Sequence, residues 1–320
     1  MAVPTNTVTA HSAIGNREDL ADIIYDISPT DTPFMSNVAR LKASAVYHEW
    51  QTDALDAAAA NRQIEGDDAT ANTFSASTRV GNYCQISRKV VSVSGTQRAV
   101  NSAGRADELS YQIAKRGREL KRDMEYALTR NQASSAGGSG TARSLASLES
   151  WLATNKTSVG TGTAQTTPGF ASGTVAAPTD SSVAGSFTEA SLKDVIQKCW
   201  TQGGDPTMIM VGPTSKQDAS AFAGIATQYR DNPQVGQATI IAAADVYVSD
   251  FGQHMIVPNR FQRDQTAFVL DLEYLGVSYL RDIQTIDLAK TGDNDKKELL
   301  CEYTLCVKNE AASGKITDIV

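Results

Sequence analysis

Histidine and cysteine are the side chains best suited to acid–base, nucleophilic or metal chemistry near neutral pH, and this chain has few of them. Its three histidines, His11, His48 and His254, are far apart in sequence. None of them stands at metal-ligand spacing from a cysteine or from another histidine. The sequence therefore predicts no metal site. Because His48 falls in an alternating run, we interpret it as a structural residue of a strand.

The four cysteines are Cys84, Cys199, Cys301 and Cys306. The closest two are five residues apart in "ELLCEYTLCVKN". On a strand, an odd spacing places two side chains on opposite faces, so this pair could neither bridge nor share a metal. The pattern predicts free, buried thiols that behave as small apolar residues in a reducing compartment.

Motifs that hold cofactors or perform catalysis are missing. Gly160-x-Gly162 lacks the third glycine of a dinucleotide loop and follows no strand pattern. The sequence contains no P-loop, nucleophile elbow or His-Glu-x-x-His motif. The acidic runs "IEGDDAT" and "KTGDNDKKE" lie in turn-like charged stretches, which we interpret as solvated loops. We expect no catalytic residues and no bound cofactor.

Composition and charge narrow the class of protein further. The 320 residues are 41% hydrophobic and 20% charged, which is typical of a globular protein with a substantial core. The apolar runs are too short to span a bilayer, and the first twenty residues do not resemble a secretory signal. A net charge of −7 argues against a protein whose main task is to bind phosphates.

The first forty residues are interpreted as an arm made of two short amphipathic pieces. Helical spacing of apolar residues begins after Asn16, a plausible N-cap, and ends at Pro29. A second helix is predicted to begin at Thr32–Pro33, with an apolar stripe that reaches Leu41. Pieces this short cannot bury their apolar surface alone. The residues that should dock elsewhere are Ile23, Ile24, Ile27, Pro29, Pro33, Phe34 and Val38.

Residues 46–98 are predicted to form a long hairpin. One strand is "VYHEWQT", which contains Trp50, and the other is "RVGNYCQISRKVVSVSG". The intervening stretch is small and polar, with no pattern that would form a core. Two interpretations remain open: the hairpin is an ordinary excursion from a large domain, or it is an arm that lies on another subunit.

Residues 101–131 carry the strongest helical signal in the chain. Its apolar stripe consists of Leu109, Ile113, Leu120, Met124 and Leu128. Surface ion pairs are predicted between Lys115 and Glu119 and between Lys121 and Glu125. The basic stretch "KRGRELKR" is either a solvated face or a weak contact with DNA.

The remaining chain divides into an insertion and an α/β unit. Residues 136–185 are rich in Gly, Ser and Thr, which is typical of a flexible linker or surface insertion, and neighbouring copies could hold it. Residues 186–320 open with a helix, for which a Ser-x-x-Glu capping box is predicted. Several strand-like runs follow. The predicted buried face of this helix is Leu192, Val195, Ile196, Cys199 and Trp200.

Both ends of the chain resemble one protein family. "REDLADIIYDISPTDTPFMSNVAR" and "EYTLCVKNEAASGKITDI" are similar to the opening and the close of the SU-ten-type major capsid proteins of tailed bacteriophages. The resemblance implies an α+β fold of the Hong Kong 97-like type. It would comprise an N-terminal arm (1–45), an extended loop (46–98), a peripheral domain with a spine helix (99–135), the insertion (136–185), an axial α/β domain (186–264) and return strands (265–320).

The resemblance also implies a function. Such a chain would self-assemble as hexamers and pentamers into an icosahedral shell around double-stranded DNA, without enzymatic activity or cofactors. Its partners would be copies of itself, a portal, scaffold or decoration proteins and, weakly, the packaged DNA, with no membrane. It would assemble in the host bacterial cytoplasm and remain in the virion capsid. An encapsulin-like compartment is the alternative. The candidate interface residues, which would dock on the spine region of their own subunit or on a neighbour, are Ile23, Ile24, Ile27, Pro29, Pro33, Phe34, Val38 and Trp50.

Overall fold

A computed structural model describes residues 31–68, 71, 76–100, 107–163, 166, 168–222 and 245–320. The predictions for Ile23, Ile24, Ile27 and Pro29 lie outside these residues. The helices are α1 (Pro33–Asn37), α2 (Gly95–Ala99), α3 (Glu108–Thr129), α4 (Leu148–Trp151), α5 (Glu189–Thr201) and α6 (Pro213–Ser220).

Fourteen strands are described, in two main sheets and two small ribbons. They are β1 (Ala39–Lys42), β2 (Tyr47–Thr52), β3 (Thr78–Tyr83), β4 (Gln85–Ser94), β5 (Lys156–Ser158), β6 (Phe170–Ala171), β7 (Thr174–Val175), β8 (Met208–Val211), β9 (Val246–Ser249), β10 (Gly252–Pro258), β11 (Thr266–Leu270), β12 (Leu275–Asp287), β13 (Asn294–Val307) and β14 (Gly314–Thr317). One main sheet has the order β1-β12-β13-β4, and the other has the order β5-β14-β11-β8-β10-β9.

The spine helix α3 packs against the four-stranded sheet. Asp107 caps its first turn by accepting hydrogen bonds from the amides of Leu109 and Ser110. The predicted stripe is confirmed: four of its five residues are buried, and Ile113 is half-buried against the same core. The stripe is recovered because helical periodicity is a local property of the sequence.

The predicted return strand of the hairpin is two strands. The strand is interrupted at Cys84, whose amide donates to the Val46 carbonyl (2.8 Å) and whose side chain is buried. Before this residue β3 pairs with β2, and after it β4 pairs with β13. The buried side-chain amide of Asn82 fixes this break. Its Nδ2 donates to the carbonyls of Ala146 and Leu305, and its Oδ1 accepts from the Ala146 amide. The hairpin therefore spans 47–83, and β4 belongs to the main sheet.

The Gly/Ser/Thr-rich insertion packs on its own subunit, whereas the sequence suggested a flexible linker or a surface insertion that neighbouring copies could hold. Six of its described apolar residues are buried in the core shared with α3: Leu145, Ala146, Leu148, Trp151, Leu152 and Val175. Serine hydroxyls also bond the insertion to the preceding backbone: Ser144 Oγ donates to the Ala133 carbonyl, and Ser150 Oγ donates to the Gln132 carbonyl. Among the described residues of the insertion, only Leu148–Trp151 is helical.

Helix α5 packs on the other main sheet largely as predicted. Leu192, Val195, Ile196 and Cys199 are fully buried. The capping box is formed by Thr188 and Ser191 instead of the predicted pair two residues earlier. Trp200 was predicted to be buried but is 57% exposed, with its ring 5.2 Å from that of Phe251. The helix ends one residue later, beyond the edge of the core.

Candidate assembly interface

Within the described ranges, no group of three His, Cys, Asp or Glu side chains is placed to hold a metal ion, and no helix is long and apolar enough to cross a membrane. A Ser–His contact joins Ser249 Oγ to His254 Nε2 (2.7 Å). His254 is buried, and its Nδ1 faces the Pro206 carbonyl instead of a carboxylate. The pair lacks the acidic orienting group of a nucleophilic triad and stabilises the turn between β9 and β10.

All four cysteines are free and buried, as predicted. Burial raises the thiol pKa of Cys84 and Cys306 to about 11 and that of Cys199 and Cys301 to about 12. These thiols stay protonated at neutral pH, because desolvation disfavours the thiolate. They act as packing groups, with little nucleophilic character.

The arm is anchored to its own subunit through the short helix α1. Pro33 occupies the first turn, where no amide donor is needed. The next two amides, of Phe34 and Met35, donate to Glu125 Oε1 (2.8 Å) and Oε2 (2.9 Å) on the spine helix. The Phe34 side chain is fully buried beside α3. The sequence left open whether Phe34 docks on its own subunit or on a neighbour. Phe34 contacts its own subunit, and its side chain has no exposed surface left for a neighbour.

Glu125 joins three segments of the chain and was not anticipated as a functional residue. Besides the two arm amides, Asn259 Nδ2 donates to Oε1 (2.8 Å) from the end of β10. The carboxylate has no exposed surface, and this burial raises its pKa, against the opposing effect of the three donors. The predicted surface pair of Lys121 with Glu125 is wrong for this reason. The only sequence signal is the position of Glu125 between Met124 and Leu128 at the border of the apolar stripe.

After α1 the chain becomes extended, which corrects the predicted length of the second arm helix. Val38 caps α1 with β-type backbone angles and keeps part of its surface exposed. Leu41 lies on β1, which pairs in parallel with β12. A Cβ on Gly276 would lie 2.7 Å from Leu41 Cδ1, so the glycine allows the two strands to approach.

Trp50 belongs to an aromatic cluster that anchors the base of the hairpin. Its ring lies 5.5 Å from that of Trp151, which stacks on Phe170 at 5.6 Å. On the same strand, Tyr47 Oη donates to the Gly173 carbonyl (2.9 Å). These contacts hold the hairpin base on the insertion of its own subunit. Trp50 keeps part of its surface exposed.

Beyond this base the hairpin projects from the subunit. Residues 53–68 form no helix or strand and are exposed throughout. Leu55 is 100% exposed and Ile64 is 81% exposed. Two large apolar side chains are thus open to solvent in a tip of otherwise small and polar residues.

Buried charges join the insertion to the return strands. Glu149 has no exposed surface; its Oε1 pairs with Arg263 (2.9 Å), and its carbonyl accepts from Lys315 Nζ (2.6 Å). Burial lowers the pKa of the Lys315 ammonium to about 8, and the nearby carboxylate of Glu149 opposes that shift. A second centre, at Glu302, binds Arg143 (2.5 Å) and Arg281 (2.9 Å). These groups fix the internal geometry of the subunit.

Comparison with known proteins places the whole chain among viral shell proteins. A family model described as SU10 major capsid protein matches residues 3–320. The major capsid protein of Escherichia phage Phieco32 is 28% identical over 98% of this chain and 97% of its own. Among solved structures, the capsid asymmetric unit of cyanophage A-1(L) matches with a TM-score of 0.66, at 14% identity and 99% coverage of both chains. A chain of Mycobacterium phage Adephagia matches with a TM-score of 0.60, at 12% identity and 99% coverage of both.

Proposed function

The chain belongs to the SU10 major capsid protein family, and from this premise we propose that it assembles as hexamers and pentamers into the icosahedral shell around a double-stranded DNA genome. It is a structural major capsid protein of a phage with the Hong Kong 97-like fold. The family match favours this role over the encapsulin-like alternative. The role requires no catalysis and no cofactor.

The observation that supports assembly through the hairpin is the contrast between its anchored base and its open tip. Trp50 fixes the base on its own subunit, whereas the side chains of Leu55 and Ile64 at the tip are largely exposed to solvent. Ordering this projection costs conformational entropy, and a single subunit does not offset that cost by burying side chains at the tip. We infer that a neighbouring subunit covers the tip.

The arm contributes a second contact. Of its predicted interface residues, Pro33 and Val38 keep exposed surface next to the Phe34–Glu125 anchor. Ile23, Ile24, Ile27 and Pro29 precede that anchor and remain proposed interface residues. An arm and a hairpin that each reach a different surface of the next copy would make head-to-tail contacts, which close into rings. Obligate interfaces of this kind commonly bury about 2,000–5,000 Å².

The remaining partners follow from the role of a shell. A portal, a scaffold or decoration protein, and weak non-specific contact with packaged DNA are proposed on this basis. The net charge of −7 is consistent with a container that does not hold its DNA tightly. Assembly is proposed to occur in the cytoplasm of the host bacterium, before the protein becomes part of the virion.

Electron microscopy of the protein expressed alone, next to a hairpin-tip variant, tests the proposal. Wild type should form shells, rings or tubes. The double variant Leu55→Asp with Ile64→Asp should leave the subunit folded, because neither side chain packs on its own chain, and should yield mainly unassembled protein. The matched control, Asp53→Asn with Asp67→Asn, changes polar residues of the same exposed segment and should assemble normally. Normal shells from the Leu55/Ile64 variant would exclude the tip as an assembly contact.

A further inference from the structure

A groove follows an open edge of the four-stranded sheet. It has a volume of about 540 Å³ and runs between β4 and the first half of α3. Residues 90–94 line one wall, and Glu108, Gln112 and Arg116 line the other. Successive residues of a strand point to opposite faces, so five consecutive lining residues mean that the groove follows the backbone edge of β4.

This edge is long and open. Strand β4 has ten residues, and within the described residues its only strand partner is β13. Every second residue of an edge strand directs its amide and carbonyl away from the sheet, which makes such an edge a template for another strand. The strand contains no proline that would block pairing. Val91 and Val93 are buried towards α3, whereas Val90 is 48% exposed on the other face.

A groove between an edge strand and a helix is the geometry in which extended peptides bind by strand addition. The added strand hydrogen-bonds to the sheet edge and packs its side chains on the helix. The occupant must therefore be a segment that favours the extended conformation. It should carry little charge, because Arg116 of the helix wall is already paired with Glu119 (2.5 Å).

The first residues of the chain meet these requirements. The stretch "TNTVTA", residues 5–10, has four β-branched side chains among six residues. Residues 1–15 contain no Asp, Glu, Lys or Arg. With the predicted helix between Asn16 and Pro29 formed, the twenty residues from 11 to 30 could still span roughly 45 Å, so the donor segment can lie far from the anchor at Phe34.

The sheet topology favours donation to a neighbour. The arm joins its own subunit just before β1, and β1 and β4 are the two opposite edges of one sheet. A subunit would thus give a strand from the side of β1 and receive one at β4. That arrangement links copies head to tail, as closed rings require.

We propose that the segment Thr5–Ala10 of one copy adds as a strand to the β4 edge of a second copy, in the groove between β4 and α3. This inference rests on the proposed function, since it needs copies assembled side by side.

Disulfide trapping in assembled particles tests the inference. Each test protein carries one donor cysteine and one receptor cysteine. The donor is Thr7→Cys or Val8→Cys, which together cover both faces of the donor strand, and the receptor on β4 is Val90→Cys, Ser92→Cys or Ser94→Cys. Adjacent strands bring Cβ atoms to a separation that a disulfide can span. The matched control receptor is Val246→Cys, on the edge strand β9 of the other sheet, because Val246 is 49% exposed and Val90 is 48% exposed. The native cysteines are buried and should contribute no background.

On non-reducing denaturing gels, most chains of at least one β4 pair should shift from monomer to dimers and higher multiples, and the Val246 pairs should remain monomeric. A disulfide that forms within one chain leaves the band at the monomer position. That result would show that the arm pairs with its own subunit and would overturn the inference. Intact particles, seen by electron microscopy, with no cross-link in any of the six pairs would also overturn it, while leaving the shell function standing.

Hydrogen exchange gives a readout without added cysteines: deletion of residues 1–15 should remove protection from the outward amides of residues 90–94 and spare those bonded to β13.

Discussion

At the residue scale, Glu125 shows how one buried carboxylate connects distant parts of the chain. It accepts from the arm amides and from Asn259, which are 90, 91 and 134 residues away in sequence. A carboxylate provides enough lone pairs for all three donors, whereas an amide side chain offers one oxygen and brings two donors of its own.

Glu125→Gln should therefore destabilise the subunit by about 1–3 kcal/mol, because buried donors lose their acceptor without a change in side-chain volume. Urea unfolding of the unassembled chain measures this loss. Glu119→Gln on the same helix is the control, since the partly exposed pair with Arg116 should contribute at most about 1 kcal/mol. Equal effects of the two substitutions would show that Glu125 has no special anchoring role.

Lys315 makes a prediction about pH. Its pKa is lowered from 10.5 to about 8 in the folded chain by burial. Between these two values the unfolded chain holds a proton that the folded chain has released, so stability must rise with pH through this window. Relative to Lys315→Met, which cannot titrate, the free energy of unfolding of wild type should increase by about 3 kcal/mol from pH 8 to pH 10.5, at 1.36 kcal/mol per pKa unit. A flat difference over this range would mean that Lys315 titrates normally.

At the scale of elements, two glycines in different surroundings should respond oppositely to alanine. A Cβ on Gly117, in the middle of α3, would lie 3.7 Å from Leu299 Cδ2, an ordinary contact. Gly117→Ala should stabilise the chain by about 1 kcal/mol through helix propensity. A Cβ on Gly81 of β3 would lie 2.8 Å from the His48 carbonyl oxygen. Gly81→Ala should destabilise by about 1–3 kcal/mol. Thermal unfolding of both variants provides the comparison, and a destabilising Gly117→Ala would reveal a constraint on α3 other than packing.

Elements specified by local periodicity could be predicted from the sequence, and those that depend on distant partners could not. The stripe of α3, and that of α5 except for Trp200, follow from spacing alone. The inward turn of Glu125 depends on amides that are remote in sequence, so the i,i+4 rule assigned it wrongly to Lys121. The insertion was misread because composition describes flexibility but does not show that serine hydroxyls bond buried and half-buried carbonyls. The break at Cys84 divides a run that has the strand pattern throughout.

At the scale of the whole molecule, the position of the Phe34 anchor determines where the arm can be cut. Residues 33–42 include the Phe34–Glu125 contacts and the pairing of β1 with β12, so removing them would damage the subunit core as well as any interface. A deletion of residues 1–30 ends before these contacts and removes only the candidate intersubunit part of the arm.

The chain lacking residues 1–30 should fold with a free energy of unfolding close to that of the full-length subunit, because its own described core is unchanged. Its particles should be fewer, or should disassemble at lower urea concentration, because each copy loses the apolar surface around Ile23, Ile24 and Ile27, and apolar burial contributes roughly 25 cal/mol per Å² at every interface of the shell. Electron microscopy and light scattering across a urea series measure the effect. Glu18→Gln with Asp19→Asn, a polar change in the same arm, is the control and should leave particle durability unchanged. If the shortened chain built equally durable particles, intersubunit cohesion would have to reside in the hairpin and the two main sheets.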